Sequence, residues 1–199
     1  MKTIMVDMDG VLAEFDTLFD SFIQKELPDV GKPLCNVFSF KDRYPKYRDK
    51  IGRLFTKFSK TGGFLKARPM PGFEKVNLLN ATILTKRPQS AAEDTYIWLK
   101  EHGIKFNNII ITNNKTKYIN QTAVILEDHP VYIMPFALAG IKCFLFDKPF
   151  NRGINHENIT RVSGWSGINV KEIQQYAINN KNKIRREDKN VLSNEAAVR

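Results

Sequence analysis

Thr3-Ile-Met-Val-Asp-Met-Asp-Gly-Val-Leu-Ala13 decides how this chain is read. Its apolar first half has the makeup of a buried strand. Asp7 and Asp9 arrive where that run ends, and Gly10 breaks it. In an α/β sheet, ligands bind in the crevice outside the carboxyl ends of the strands, so both acids would project to where chemistry takes place. One carboxylate can attack an electrophile while the other moves protons. A solvated turn is the plainer alternative, since Asp and Gly are ordinary turn residues.

Working outward, residues 2–8 make the first strand, and the next comparably apolar strand, Ala81-Thr-Ile-Leu-Thr85, lies far downstream. The intervening chain has a different character. Phe15, Phe19, Phe22, Phe38, Phe40, Tyr44, Tyr47, Phe55, Phe58 and Phe64 recur through it, with helical spacing around 15–25 and 47–60. Residues 16–71 are therefore expected to form a small helical cap inserted after the first strand, with Pro69 and Pro71-Gly72 marking the return to a core domain of residues 1–15 and 72–178. From there strands and helices alternate as in a parallel α/β sheet. Ser90 and Glu93 have capping-box spacing and Gly103 suits a helix end, so a helix is expected over 91–102. Further strands are expected at 108–112, 122–126 and 141–146, for five in all, with a short helix near 131–138. The segment 161–165 closes the globular part, and a helix follows from about Asn169. Residues 179–199 are polar and charged, the composition of a flexible tail.

The bulk numbers fit one α/β domain with an insertion: 199 residues, 42% hydrophobic. Cys35 and Cys143 lie far apart without a CxxC pattern, and the N-terminus has no charged leader, so a reduced, cytoplasmic setting is expected. No apolar stretch approaches the roughly 20 residues that cross a bilayer. The net charge of +10 is concentrated: Lys41 to Arg68 holds ten basic residues against Asp42 and Asp49, a local net of +8. Such a segment attracts anions, although a solvated face is the simpler account.

Polar groups of complementary kinds end four of the expected strands. Asp7 and Asp9 follow the first, Thr85 the second, Lys115 comes shortly after the third, and Glu127-Asp128 follow the fourth. This set suits phosphoryl transfer. A carboxylate nucleophile splits one hard step into two, and a second protonates the leaving alcohol and then activates water. Hydroxyl and ammonium groups hold phosphoryl oxygens as charge develops. Clustered hard carboxylates suit Mg²⁺.

With these residues in place, the chain resembles the haloacid dehalogenase (HAD) superfamily, whose motifs are DxD, a strand-ending Thr or Ser, a Lys and an acidic pair. Within it, Asp7-Met-Asp-Gly-Val-Leu-Ala-Glu-Phe15, Arg68-Pro-Met-Pro-Gly72, Ile83-Leu-Thr-Lys-Arg-Pro88, Asn114-Lys-Thr116, Leu126-Glu-Asp-His-Pro130 and Ser163-Gly-Trp165 resemble the 5'(3')-deoxyribonucleotidases. The resemblance spans residue 1 to about 178. It implies a Rossmann-like HAD core, Asp7 as nucleophile, Asp9 as general acid and base, and Mg²⁺ held by Asp7, Asp128 and the backbone carbonyl of Asp9. It also implies that Thr85, Lys86 and Lys115 bind the phosphate and that Phe15 stacks on the base, a core aromatic of the cap being the alternative for Phe15. Lys86, Glu127 and His129 depart from the family pattern and leave substrate preference open.

The leading expectation is a phosphomonoesterase for (deoxy)nucleoside monophosphates. Asp9 favours it, because superfamily dehalogenases lack the second Asp. Its rivals are a phosphatase of nucleic-acid ends gripped by the basic segment, a phosphatase for another small metabolite, and a non-catalytic binding module. A homodimer is compatible with the chain, and membrane association is not expected.

Overall fold

The computed structural model describes residues 2–179; the polar tail expected over 179–199 lies, beyond its first residue, outside them. Strand β1 (Thr3–Val6) is followed by helices α1 (Phe15–Glu26), α2 (Phe40–Arg43) and α3 (Arg48–Lys60). The chain then runs β2 (Thr82–Thr85), α4 (Ala92–Glu101), β3 (Asn108–Ile111), β4 (Thr122–Glu127), α5 (Pro130–Leu138), β5 (Lys142–Phe146), β6 (Ile159–Val162) and a helix α6 over 170–179.

All strand pairings are parallel, in the order β3-β2-β1-β4-β5-β6. The sheet thus has six strands where five were expected. The additional one, β6, is a short, half-buried edge strand interrupted by Arg161, whose guanidinium bonds Asp147, Asn151 and the Ile154 carbonyl. That polar insertion removes the apolar run by which the other strands are legible.

Strand β1 lies at the centre because its residues are apolar on both faces. Ile4 and Val6 join a core with Trp98, Leu99, Phe144 and Trp165, while Met5 faces the opposite core with Ile125, Ile133, Phe136 and Leu145. Helices α4 and α6 therefore cover one face and α5 the other. After β1 the chain pairs first on one side, with β2, and later on the other, with β4. The loop after β1 consequently opens into the topological switch point, the usual ligand crevice of such sheets. Two buried tryptophans anchor the surroundings: Trp165 Nε1 donates to the Val11 carbonyl and Trp98 Nε1 to the Ala67 carbonyl, each at 2.7 Å.

The start of α4 differs from expectation. Ser90 lies in a 3₁₀ turn over Gln89–Ala91, and the helix starts at Ala92 without a side-chain cap. Pro88 supplies an extended residue just upstream, and Ser90 Oγ instead approaches Ser59 Oγ of α3. Gly103 does end the helix, at φ 63°.

Between β1 and β2, the inserted helices build their own core from Phe15, Phe19, Ile23, Tyr44, Ile51, Phe58 and Phe64. Arg43 staples this insert together. Its buried guanidinium bonds Asp16 at 2.7 Å, Asp20 at 3.0 Å and the Val37 carbonyl at 3.0 Å, and covers the Phe40 ring. Removing one partner of a buried ion pair costs about 3–5 kcal/mol. Asp16 and Asp20 remain partly wetted, so Arg43→Ala should lower the unfolding free energy by about 3 kcal/mol, the low end of that range. Urea denaturation measures this, and a loss under about 0.5 kcal/mol, the level of an ordinary surface change, would contradict the stapling role.

Candidate active site

Asp7 follows β1 directly and is locked by its backbone N–H, which donates to the Leu126 carbonyl of β4 at 3.0 Å. Lys115, in the turn after β3, places Nζ 2.7 Å from Asp7 Oδ1 and 2.6 Å from Glu127 Oε2. Glu127 ends β4; its other oxygen accepts the backbone N–H groups of Asp128 and His129, both at 3.1 Å. Three strand ends thus deliver a buried carboxylate–ammonium–carboxylate line.

Asp7, Glu127 and Asp128 each put one oxygen within 4.8 Å of the others. Burial and the Glu127 charge push the Asp7 carboxyl well above the usual carboxylate range, against the pull of Lys115. Burial and Asp7 do the same to Asp128. Burial acts to lower the Lys115 ammonium, but Asp7 and Glu127 outweigh it and hold it above its ordinary value. One ammonium for three buried acids leaves negative charge uncompensated, which is what a divalent cation would neutralise. Because Glu127 is taken up by Lys115 and two amides, Asp7 and Asp128 are the carboxylates left for an ion.

Gly10 keeps this cluster open. Its φ is +81°, and a Cβ there would lie 1.9 Å from Asp128 Oδ2.

The other expected site residues take varied positions. Asp9 is 24% exposed, and its carboxylate is turned to Arg87, which leaves only its backbone carbonyl for the expected place beside an ion. Thr85 is buried and its Oγ1 accepts the Arg87 N–H at 3.2 Å. Lys86 donates from Nζ to the Tyr132 hydroxyl at 2.7 Å. A cavity of about 240 Å³ opens beside the acids, between core and insert. Asp7, Asp9 and Asp128 line one end and Phe15, Phe38, Phe40, Phe55 and Phe64 the other, with Lys86 and Arg87 between. Phe15 belongs to this wall and also to the interior: it is 8% exposed and stacked with Phe19 and Phe64. Arg87 went unassigned in the sequence, although it sits two positions beyond the strand-ending Thr85. His129 lines the cavity as the N-cap of α5, Nδ1 accepting the Val131 N–H; burial and the nearby Lys115 and Lys86 charges depress it to about 4, so it is a neutral ring.

The basic segment is partly spent on internal pairing: Arg43 on Asp16 and Asp20, Arg48 on Asp42, Lys57 on Glu26.

The model of the family "5' nucleotidase, deoxy (Pyrimidine), cytosolic type C protein" matches residues 1–177. The chain belongs to this family. A Bordetella bronchiseptica protein named "Putative 5'(3')-deoxyribonucleotidase" is 26% identical over 166 residues, 75% of this chain and 85% of that protein. Among solved structures, CbbY from Rhodobacter sphaeroides in complex with phosphate superposes with a TM-score of 0.56 at 15% identity, covering 83% of this chain and 95% of CbbY. A haloacid dehalogenase-like hydrolase from Streptococcus pneumoniae gives 0.55 at 14% identity, over 74% of this chain and 85% of that one. The fold is thus that of the HAD hydrolases, and this nucleotidase-family member is a phosphatase of that superfamily. Among the described residues no helix is long and apolar enough to cross a membrane.

Gly10→Ala combines a strained φ with a clash at Asp128. Misplacing a catalytic group by about 1 Å can cost 10²-fold. Phosphatase kcat/KM for the variant should therefore fall by about a hundredfold or more in a steady-state assay with para-nitrophenyl phosphate; near-normal turnover would show that Asp128 is not held where the Gly10 contact puts it.

Proposed function

We propose that this protein is a Mg²⁺-dependent phosphomonoesterase that removes the phosphate from (deoxy)nucleoside monophosphates through an aspartyl-phosphate on Asp7. The observation that carries this reading is the pairing, within one cavity, of a buried acidic cluster at one end with a wall of phenylalanine rings at the other. The first suits a phosphoryl group with a divalent cation, and the second suits the flat face of a base.

The steps follow from the residues. A carboxylate oxygen of Asp7 forms a bond to phosphorus as the bond to the leaving alcohol breaks, and Asp9 donates a proton to that alcohol oxygen. Water then attacks the aspartyl-phosphate, Asp9 takes the proton back, and phosphate leaves with Asp7 restored. Lys115, held against Asp7 by Glu127, stabilises charge on the phosphoryl oxygens, aided by Thr85 and Lys86. Asp7, Asp128 and the backbone carbonyl of Asp9 would hold Mg²⁺, which when bound neutralises the acids and polarises the phosphoryl group. The rings of Phe15 and its neighbours pack on the base, a contact worth about 1–3 kcal/mol.

A polynucleotide substrate is the weaker reading, because several residues of the basic segment are engaged in internal ion pairs. A panel of phosphate esters assayed with Mg²⁺ decides between them. The highest kcat/KM should belong to mononucleotides such as dTMP, dUMP or dGMP, with all activity lost in EDTA and restored by Mg²⁺. Higher values for sugar phosphates or phosphorylated oligonucleotides, or full activity in chelator, would refute the proposal.

Phe38 offers a clean probe of base recognition. It lines the cavity against the His129 ring but is 37% exposed, so its truncation costs little stability. Phe38→Ala should raise KM for nucleotides about fivefold or more, as loss of a ~1 kcal/mol stacking contact requires, and leave para-nitrophenyl phosphate nearly unaffected. An equal change for both substrates would place Phe38 outside base recognition.

A further inference from the structure

Once Lys115 is assigned to the phosphoryl end of the site, a second buried cation remains beside it. The Arg87 side chain is fully buried. Its Nε lies 3.1 and 3.0 Å from the two carboxylate oxygens of Asp9, and its Nη2 lies 2.7 Å from Asp9 Oδ1. Arg87 is itself held at three points, two on the guanidinium and one on the backbone. Nη1 lies 3.4 Å from Thr95 Oγ1 of α4, the backbone N–H donates to Thr85 Oγ1, and the planar group lies 4.6 Å from the centroid of the Phe64 ring, which belongs to the aromatic core of the insert.

A short carboxylate side chain at the end of a loop ordinarily samples several staggered rotamers. A bidentate guanidinium permits few of them, because its donors form a rigid planar fork. To give a proton to the leaving oxygen, Asp9 must come within about 2.6–3.2 Å of it, so orientation is the first requirement. We propose that Arg87 is the positioning residue of Asp9: it holds the carboxylate in the rotamer from which it serves the leaving oxygen. Through its contact with Phe64, it also ties that rotamer to the seating of the aromatic insert on the core. The inference rests on the acid–base role given to Asp9 above, not on the identity of the substrate.

The test compares leaving groups. The alcohol of dTMP must be protonated as its bond to phosphorus breaks, whereas dinitrophenolate leaves 2,4-dinitrophenyl phosphate as a stable anion and needs no proton. In Arg87→Met, kcat for dTMP should fall about tenfold to a hundredfold, part of the 10²–10⁴ that acid–base assistance supplies. KM should stay nearly unchanged, and the first-turnover release of dinitrophenolate from 2,4-dinitrophenyl phosphate, which precedes the water step that Asp9 also serves, should be nearly normal. The double variant Asp9→Asn/Arg87→Met should be no slower on dTMP than Asp9→Asn alone, since the two residues would act as one unit. Arg87→Lys keeps the buried charge without the fork; it should melt near the wild-type temperature and still show the selective loss, which separates positioning from folding. Equal losses in the first turnover of both substrates, or additive losses in the double variant, would overturn the proposal. So would a raised KM on both substrates with unchanged kcat, which would make Arg87 a direct phosphate ligand. If dTMP is not turned over, the nucleotide reading fails by itself, and the same comparison with any alkyl phosphate that is turned over still decides the role of Arg87.

Discussion

The buried Lys115, held between Asp7 and Glu127, is the interaction on which the rest of the site depends. Three carboxylates gathered at strand ends, away from water, would repel one another and lose hydration, and no packing of apolar groups repays that. Lys115 offsets part of the cost and leaves the remainder as a standing demand for positive charge. A divalent cation among these carboxylates would offset that remainder. Glu127 holds the ammonium against Asp7 through one oxygen and spends its second oxygen on the two amides that begin the turn bearing Asp128. One glutamate thereby bonds both the Lys115 ammonium and the Asp128 backbone.

The second constraint is the joint between core and insert. The aromatic insert enters and leaves the core beside Ala13 and Pro69, which form a bridge, while Glu14 N–H donates to the Arg68 carbonyl. Trp98 holds the Ala67 carbonyl and Trp165 the Val11 carbonyl, so both ends of the connection are pinned by indole donors from the core. The cavity forms across that joint, acids on one side and phenylalanines on the other. Phe64 and Arg87 meet there, and the same guanidinium bonds the Asp9 carboxylate.

How far the sequence shows this depends on whether a residue's partner is near it in the chain. Asp7, Lys115 and Asp128 are legible because each stands at the end of an apolar run, and the topology of a parallel sheet brings such ends together. Strand β6 is not legible: Arg161 breaks a short edge strand, and its reason for being there is a set of bonds to the loop around Asn151. The Ser90–Glu93 spacing suggests a cap that does not form, because Pro88 and the 3₁₀ turn after it set the backbone first. Arg87 and Arg43 look like ordinary members of a basic chain. Only the fold shows that each is buried against carboxylates well separated from it in sequence. Phe15 is both core and cavity wall, so no reading of its neighbours alone would have placed it in one role.

The central claim is that Asp7 carries the phosphoryl group between substrate and water. Acid quench of the enzyme during turnover of a nucleotide with Mg²⁺, followed by proteolysis and mass spectrometry, tests it most directly. The account predicts an acid-stable, hydroxylamine-sensitive phosphoryl group on the peptide containing Asp7, absent from Asp7→Asn. A phosphorylated Asp9, or full turnover by Asp7→Asn without any phosphorylated peptide, would contradict it.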